Sequence, residues 1–226
     1  MNTSYWSRRL VRNAMLLAAA AVVCVVVLAL TADSTQAVYR ISMATGYASV
    51  LLIAWAMLIG PWRVLRGRSA PVSTDLRRDA GIWGALLGVA HVITGLQVHM
   101  GGDMLKYFFF RDTGRRVPVR TDLFGFANWT GLVATLLLLM LLAISNDLSL
   151  RAMGSKRWKS WQRWTYGAAA LIVAHTFGYQ VSEKGHEWYM LAFAVVAGVV
   201  VVLQLDGWRR VRARASTRTA TESAAP

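Results

Sequence analysis

The sequence predicts an all-α integral membrane protein, a bundle of six transmembrane helices with both termini in the cytoplasm. Three observations lead there. Six stretches, residues 13–31, 41–62, 80–102, 123–146, 164–182 and 188–205, contain no Asp, Glu, Lys or Arg. Each is close to the roughly 20 apolar residues that a helix needs to cross the hydrocarbon core. Nothing alternates with period two over ten-residue segments as a membrane barrel would. A backbone inside lipid must satisfy its own hydrogen bonds, so these spans are expected to be helices. Composition agrees: the chain is 56% hydrophobic and 16% charged, where soluble domains carry about 25% charge.

The third observation is where the charges sit. Arg8, Arg9 and Arg12 precede the first span. Arg63, Arg66, Arg68, Arg77 and Arg78 fill the second connection, and Arg151, Lys156, Arg157, Lys159 and Arg163 the fourth. Arg209, Arg210, Arg212, Arg214 and Arg218 follow the sixth span. The alternate connections hold the other seven of the 25 basic residues. The positive-inside rule then places both ends in the cytoplasm. The net charge of +14 reads as topology and lipid contact, with no nucleic-acid partner.

Taken in order, residues 1–12 form a cytoplasmic N-terminus. The first span could be a signal peptide, but its uncharged run exceeds the roughly 7–15 residues of a signal h-region, so it reads as a retained anchor. Cys24, the single cysteine, excludes an internal disulfide and a cysteine metal cluster. Spans one and six are Ala/Val/Leu-rich and expected at the periphery. The longest connections, residues 63–79 and 103–122, are too short for a soluble domain. The transmembrane domain is therefore residues 13–205. The tail, 206–226, is basic and then Ser/Thr/Ala-rich, a composition expected to be disordered. The expected location is the cell membrane, as a multi-pass protein of a bacterial inner membrane.

The histidines carry the chemistry. Ionisable groups inside membrane spans are uncommon and mark functional candidates. The third and fifth spans run in the same direction. His91 lies twelve residues after Asp79 and His175 twelve after Arg163, so both sit about 18 Å from their charged markers at 1.5 Å per residue. Two imidazoles at one depth on two helices suit a planar metal macrocycle, one axial nitrogen from each side. The alternative is a buried histidine bonded to a carbonyl or to Thr94. Gly81, Gly84, Gly88, His91, Gly95, His99 and Gly102 fall within an arc of roughly 80°. That stripe offers a flat slot beside His91, or simply a close helix contact of the small-xxx-small type. On the fifth span, Gly167–Ala170 is a run of small residues below His175. His99 and His186 lie toward the outer surface and form a candidate second site.

Three segments go further: RRDAGIWGALLGVAHVITGLQVHM (77–100), FANWTGLVATLLLLMLLAISND (126–147) and RWKSWQRWTYGAAALIVAHTFGYQ (157–180). Together they resemble the ferric reductase-like transmembrane domain family, which includes the membrane cores of ferric reductases and NADPH oxidases. The resemblance covers about residues 45–205. It implies haem b held between His91 and His175, as axial ligands of the iron, and electron transfer across the membrane. It departs at Gln162, where family members often carry a histidine that helps hold an inner haem; an amide oxygen is a poor iron ligand. Arg78, thirteen residues before His91, is not a ligand either. One haem is therefore expected. The flavin and nicotinamide domains of full-length reductases have no counterpart here, so the electron donor is expected to be a separate flavoprotein or a quinone.

The leading expectation is a bis-histidine haem electron-transfer subunit, a ferric reductase-like oxidoreductase component. Trp83, Trp129, Tyr166 and Tyr179 are candidates for tuning it, and Arg111, Arg115, Arg116 and Arg120 for attracting an anionic acceptor from outside. The alternative is a non-redox scaffold, assembly or sensor subunit that has kept the fold. A histidine proton channel would need a membrane carboxylate as relay, and the spans hold none.

Overall fold

The computed structural model describes residues 3–68, 75–111, 114, 118–182 and 187–223. Among them are seven α-helices and no strand: α1 Thr3–Leu30, α2 Ala37–Leu65, α3 Asp75–Gly95, α4 Leu123–Ala143, α5 Asp147–Gln162, α6 Trp164–Ser182 and α7 Glu187–Ser223. Four stretches are long and apolar enough to cross a membrane: Tyr5–Leu30, Ala37–Leu65, Leu123–Ala143 and Met190–Arg214. They belong to α1, α2, α4 and α7. The two remaining long helices, α3 and α6, carry His91 and His175. Their polar residues lower the mean hydropathy, and such residues are tolerated where they face protein or a cavity instead of lipid.

α2 is the hub. It packs most extensively against α3 and also holds α1 and α7, while α4 pairs with α6. Small residues let α2 and α3 approach closely. Ala44, Ala48, Ser49 and Ala56 of α2 are buried, and Ser49 Oγ donates to the Gly84 carbonyl at 2.7 Å. A Cβ on Gly84 would lie 2.8 Å from Ile53 Cγ1, so only glycine permits this contact. α1 and α7 cover the outside of the bundle, as their bland composition predicts. Their long apolar side chains, such as Val22, Val25, Val201 and Val202, remain exposed.

One end of the bundle is basic and tied by polar contacts. The fully buried Asp79 of α3 pairs with Arg12 at 2.6 Å and Arg9 at 3.4 Å, both on α1. Trp83 Nε1 donates to Asn13 Oδ1 at 2.8 Å. Arg78 pairs with Asp147 at the start of α5, and Trp158 Nε1 donates to the Ile144 carbonyl at 2.9 Å. Arg214 of α7 reaches the Val64 carbonyl at 3.3 Å. At the opposite end, Tyr107 is completely buried. Its hydroxyl accepts from His99 N at 2.7 Å and lies 3.1 Å from the Gly95 carbonyl.

The elements depart from the sequence reading in three places. Residues 147–162, read as a connection, form α5, too polar to span but anchored by the buried Trp158. The third helix ends at Gly95 instead of 102. Met100, Gly101 and Gly102 have φ of 57°, 61° and 79°, a left-handed run that keeps the helix from resuming. The last helix passes residue 205 and continues to Ser223, because no Pro interrupts 206–223 and its Ala and Arg residues favour helix.

Candidate cofactor site

A cavity of about 270 Å³ lies between α2, α3, α4 and α6, with His91, His99 and His175 on its wall. His91 and His175 face each other across it. Their ring centroids are 6.1 Å apart, with the planes at 82°.

Each ring is fixed by the same device. His91 Nδ1 lies 2.8 Å from the Ser42 carbonyl of α2, and His175 Nδ1 lies 2.8 Å from the Ala127 carbonyl of α4. A carbonyl oxygen only accepts, so Nδ1 must carry the proton and a neutral ring keeps Nε2 free as a ligand. In a helix each of these carbonyls also accepts from the amide four residues on, which belongs to Gly46 in α2 and Gly131 in α4. Its second lone pair takes the imidazole. The glycines make that possible. A Cβ on Gly46 would lie 2.8 Å from His91 Nδ1, and one on Gly131 2.5 Å from His175 Nδ1.

At a centroid separation of 6.1 Å the two imidazoles are near enough for one group to take a nitrogen from each, and the same distance is that of an ordinary edge-to-face ring pair. No group of three or more His, Cys, Asp or Glu able to hold a metal ion occurs among the described residues. A metal here would therefore need its remaining ligands from elsewhere, as a macrocycle supplies them.

Toward the outer end the cavity wall turns aromatic. Tyr179 stands 5.0 Å from the His175 ring, and its hydroxyl donates to Asn128 Oδ1 at 2.7 Å. His99 stacks on Tyr179 at 6.4 Å and meets Phe124 edge-on at 6.0 Å. It sits on the turn after α3, on the wall of the same cavity as His91 and His175. His186, its expected partner, lies outside the described residues.

Of the four aromatic candidates for tuning, only Tyr179 lines this cavity. Trp83 binds Asn13 at the basic end. Trp129 packs between Phe108 and Phe109, and Tyr166 bonds Gln204 at 3.3 Å. Of the outer basic residues, Arg111 pairs with Asp103 at 3.0 Å and Arg120 with Asp122 at 2.8 Å; Arg115 and Arg116 lie outside the described residues. The glycine stripe of α3 divides its work. Gly84 is spent on helix contact, whereas Gly88 and Gly95 reach the cavity beside Ser49 and Ser42.

Gly46, Gly131, Ser42 and Ala127 are the residues that sequence reasoning missed. A signal for them exists. Thr45-Gly46 in α2 and Thr130-Gly131 in α4 recur in the same order before Val89-Ala90-His91 and Val173-Ala174-His175. The bundle thus contains one helix-pair motif twice, and comparing the halves would expose both glycines.

This chain is similar to a haem-binding subunit. The relative is the protein-methionine-sulfoxide reductase heme-binding subunit MsrQ of Polaromonas naphthalenivorans (strain CJ2). The two are 26% identical over 191 residues, which is 84% of this chain and 80% of MsrQ. No family model matches the chain. The likeness to MsrQ extends beyond the three segments that carry the resemblance read from the sequence, and it agrees with that resemblance.

Proposed function

We propose that this protein is a haem b electron-transfer subunit of the membrane, with His91 and His175 as the axial ligands of a single haem. The observation that carries the reading is the pair of imidazoles, each anchored through Nδ1 to a helix carbonyl, facing each other at 6.1 Å. The likeness to MsrQ, named for haem binding, supports it. The residues fit the group. Nitrogen donors suit haem iron, a ring protonated at Nδ1 keeps its Nε2 lone pair to offer, and Gly46 and Gly131 leave room for the rings.

Haem bound there would supply a one-electron couple. The chain does the rest. The Ser42 and Ala127 carbonyls fix the tautomer and orientation of each imidazole, which also raises its basicity as a ligand. With His91 and His175 both holding the haem, outer-sphere electron transfer would be favoured over oxygen binding. Asn128 and Tyr179 hold the outer wall in place beside His175, and the apolar walls limit water around the site, a lever on its potential.

We place the chain in the cell membrane as a multi-pass protein, its basic end toward the cytoplasm. The arginines and lysines of α1, α3, α5 and α7 support that direction. The donor is a separate flavoprotein or a quinone. MsrQ is named as a subunit of a protein-methionine-sulfoxide reductase, and by extension the acceptor is a partner subunit of that kind. The test is a reduced-minus-oxidised spectrum with a haem-to-protein ratio. We expect a Soret band near one haem per chain in the wild type, lost in His91→Ala and His175→Ala. Full haem retention in either variant would falsify the assignment, and a wild type without haem would favour the scaffold alternative.

A further inference from the structure

A second cavity, of about 190 Å³, opens at the basic end where the α5–α6 junction meets α2, α3 and α4. Its inner wall is apolar, with Ala85, Leu138 and Leu141. Its rim carries Arg77, Arg78, Lys159 and Arg163. Leu138 also lines the histidine cavity, so the two spaces share that side chain as part of their walls.

Two hydrogen-bond donors on this wall have nothing to bind. Arg78 is 92% buried by its side-chain exposure of 8%, and pairs with Asp147 and Asp75, yet its Nε has no partner. Gln162 Nε2 is likewise buried without a partner. A buried donor left unsatisfied costs about 1–3 kcal/mol, so the pair points to an acceptor that belongs in this space. Both are N–H groups beside several cations, which calls for an oxyanion. The apolar floor beneath them calls for an apolar body attached to it. A bilayer supplies that combination at this depth, since basic pockets between helices on the cytoplasmic side bind anionic lipid headgroups.

We propose that this cavity holds the phosphate headgroup of an anionic phospholipid, with Arg78 Nε and Gln162 Nε2 donating to phosphate oxygens and Arg163 and Lys159 balancing the charge. The assignment rests on the membrane placement above but not on the haem. The test uses the full chain purified in detergent, delipidated, and titrated with phosphatidylglycerol under native mass spectrometry. We expect one phosphatidylglycerol to be retained per chain, with phosphatidylcholine displaced. Gln162→Leu, which keeps size but removes the donor, should weaken retention about tenfold, the worth of one charge-assisted hydrogen bond. Arg163→Gln, which leaves the Arg78 ion pairs intact, should do the same. Equal retention of phosphatidylcholine, unchanged retention in both variants, or uptake of inorganic phosphate without phosphatidylglycerol each overturns the proposal. Haem content, read on the same samples, separates a failure here from a failure of the haem assignment.

Discussion

At Gly131 a single methyl group would stand 2.5 Å from His175 Nδ1, and at Gly46 2.8 Å from His91 Nδ1. Neither histidine can retreat without giving up its carbonyl. Gly131→Ala and Gly46→Ala should therefore displace the rings, at a packing cost of about 1–3 kcal/mol. We expect the haem-to-protein ratio to fall in both, further at Gly131, while Gly198→Ala, where a Cβ meets nothing within 4 Å, leaves it unchanged. Equal haem content in all three would show that the ring position is not held by these glycines. The outer wall gives a milder prediction. Tyr179→Phe removes the 2.7 Å bond to the buried Asn128 and should lower stability by about 1 kcal/mol, read as a lower Tm with haem still bound.

At the scale of the helices, the polar ties at the bundle ends decide how the elements dock. Asp79 has 2% side-chain exposure and faces two arginines of α1. Removing one partner of a buried pair strands the other's charge, a cost of about 3–5 kcal/mol. Arg12→Ala should approach the lower figure, since Arg9 remains nearby, and thermal unfolding in detergent measures it. A Tm equal to wild type would mean that α1 is held by its apolar contacts alone. α4 is capped by Asp122, which accepts from Gly125 N at 2.8 Å and pairs with Arg120. The Arg120 hydrogen bond holds this carboxyl below its ordinary value. Stability from a depressed carboxyl is complete above its unfolded pKa of about 3.9 and is lost as pH falls through the lower folded value. Asp122→Asn should therefore lower Tm at neutral pH, where the wild-type carboxylate contributes in full, and converge with wild type as pH falls below about 4; a variant with wild-type Tm at neutrality would remove the Arg120 pair from the explanation.

For the whole molecule, the direction of insertion follows from which end is basic. In a Cys24→Ala background, Thr121→Cys and Ser155→Cys place single thiols at exposed positions on opposite ends of the bundle. A membrane-impermeant maleimide added to intact cells should label the first and spare the second. The reverse pattern would invert the molecule and with it the side from which the donor approaches. The doubled motif gives the molecule its logic: α2 with α3 and α4 with α6 each present one histidine, one glycine and one carbonyl, and packing the pairs together turns two half-sites into one.

The helical class and the position of both deep histidines were legible in the chain because they rest on local quantities: uncharged runs of membrane length, and counts of residues from the nearest charge. Depth along a helix axis needs only a fixed rise per residue. Rotation about that axis and the identity of the facing helix are different matters, since they depend on which surfaces pack. Hence the doubled Thr-Gly and Val-Ala-His order marks Gly46 and Gly131 in the chain, but that they support the histidines emerged only once α2 lay against α3 and α4 against α6. The docking of α5 through Trp158 and the capture of Asp79 by α1 are likewise long-range decisions. Composition set the medium and the spacing of the elements. Tertiary packing decided which backbone carbonyls the imidazoles meet, because a hydrogen bond between distant residues leaves no periodic trace in the sequence.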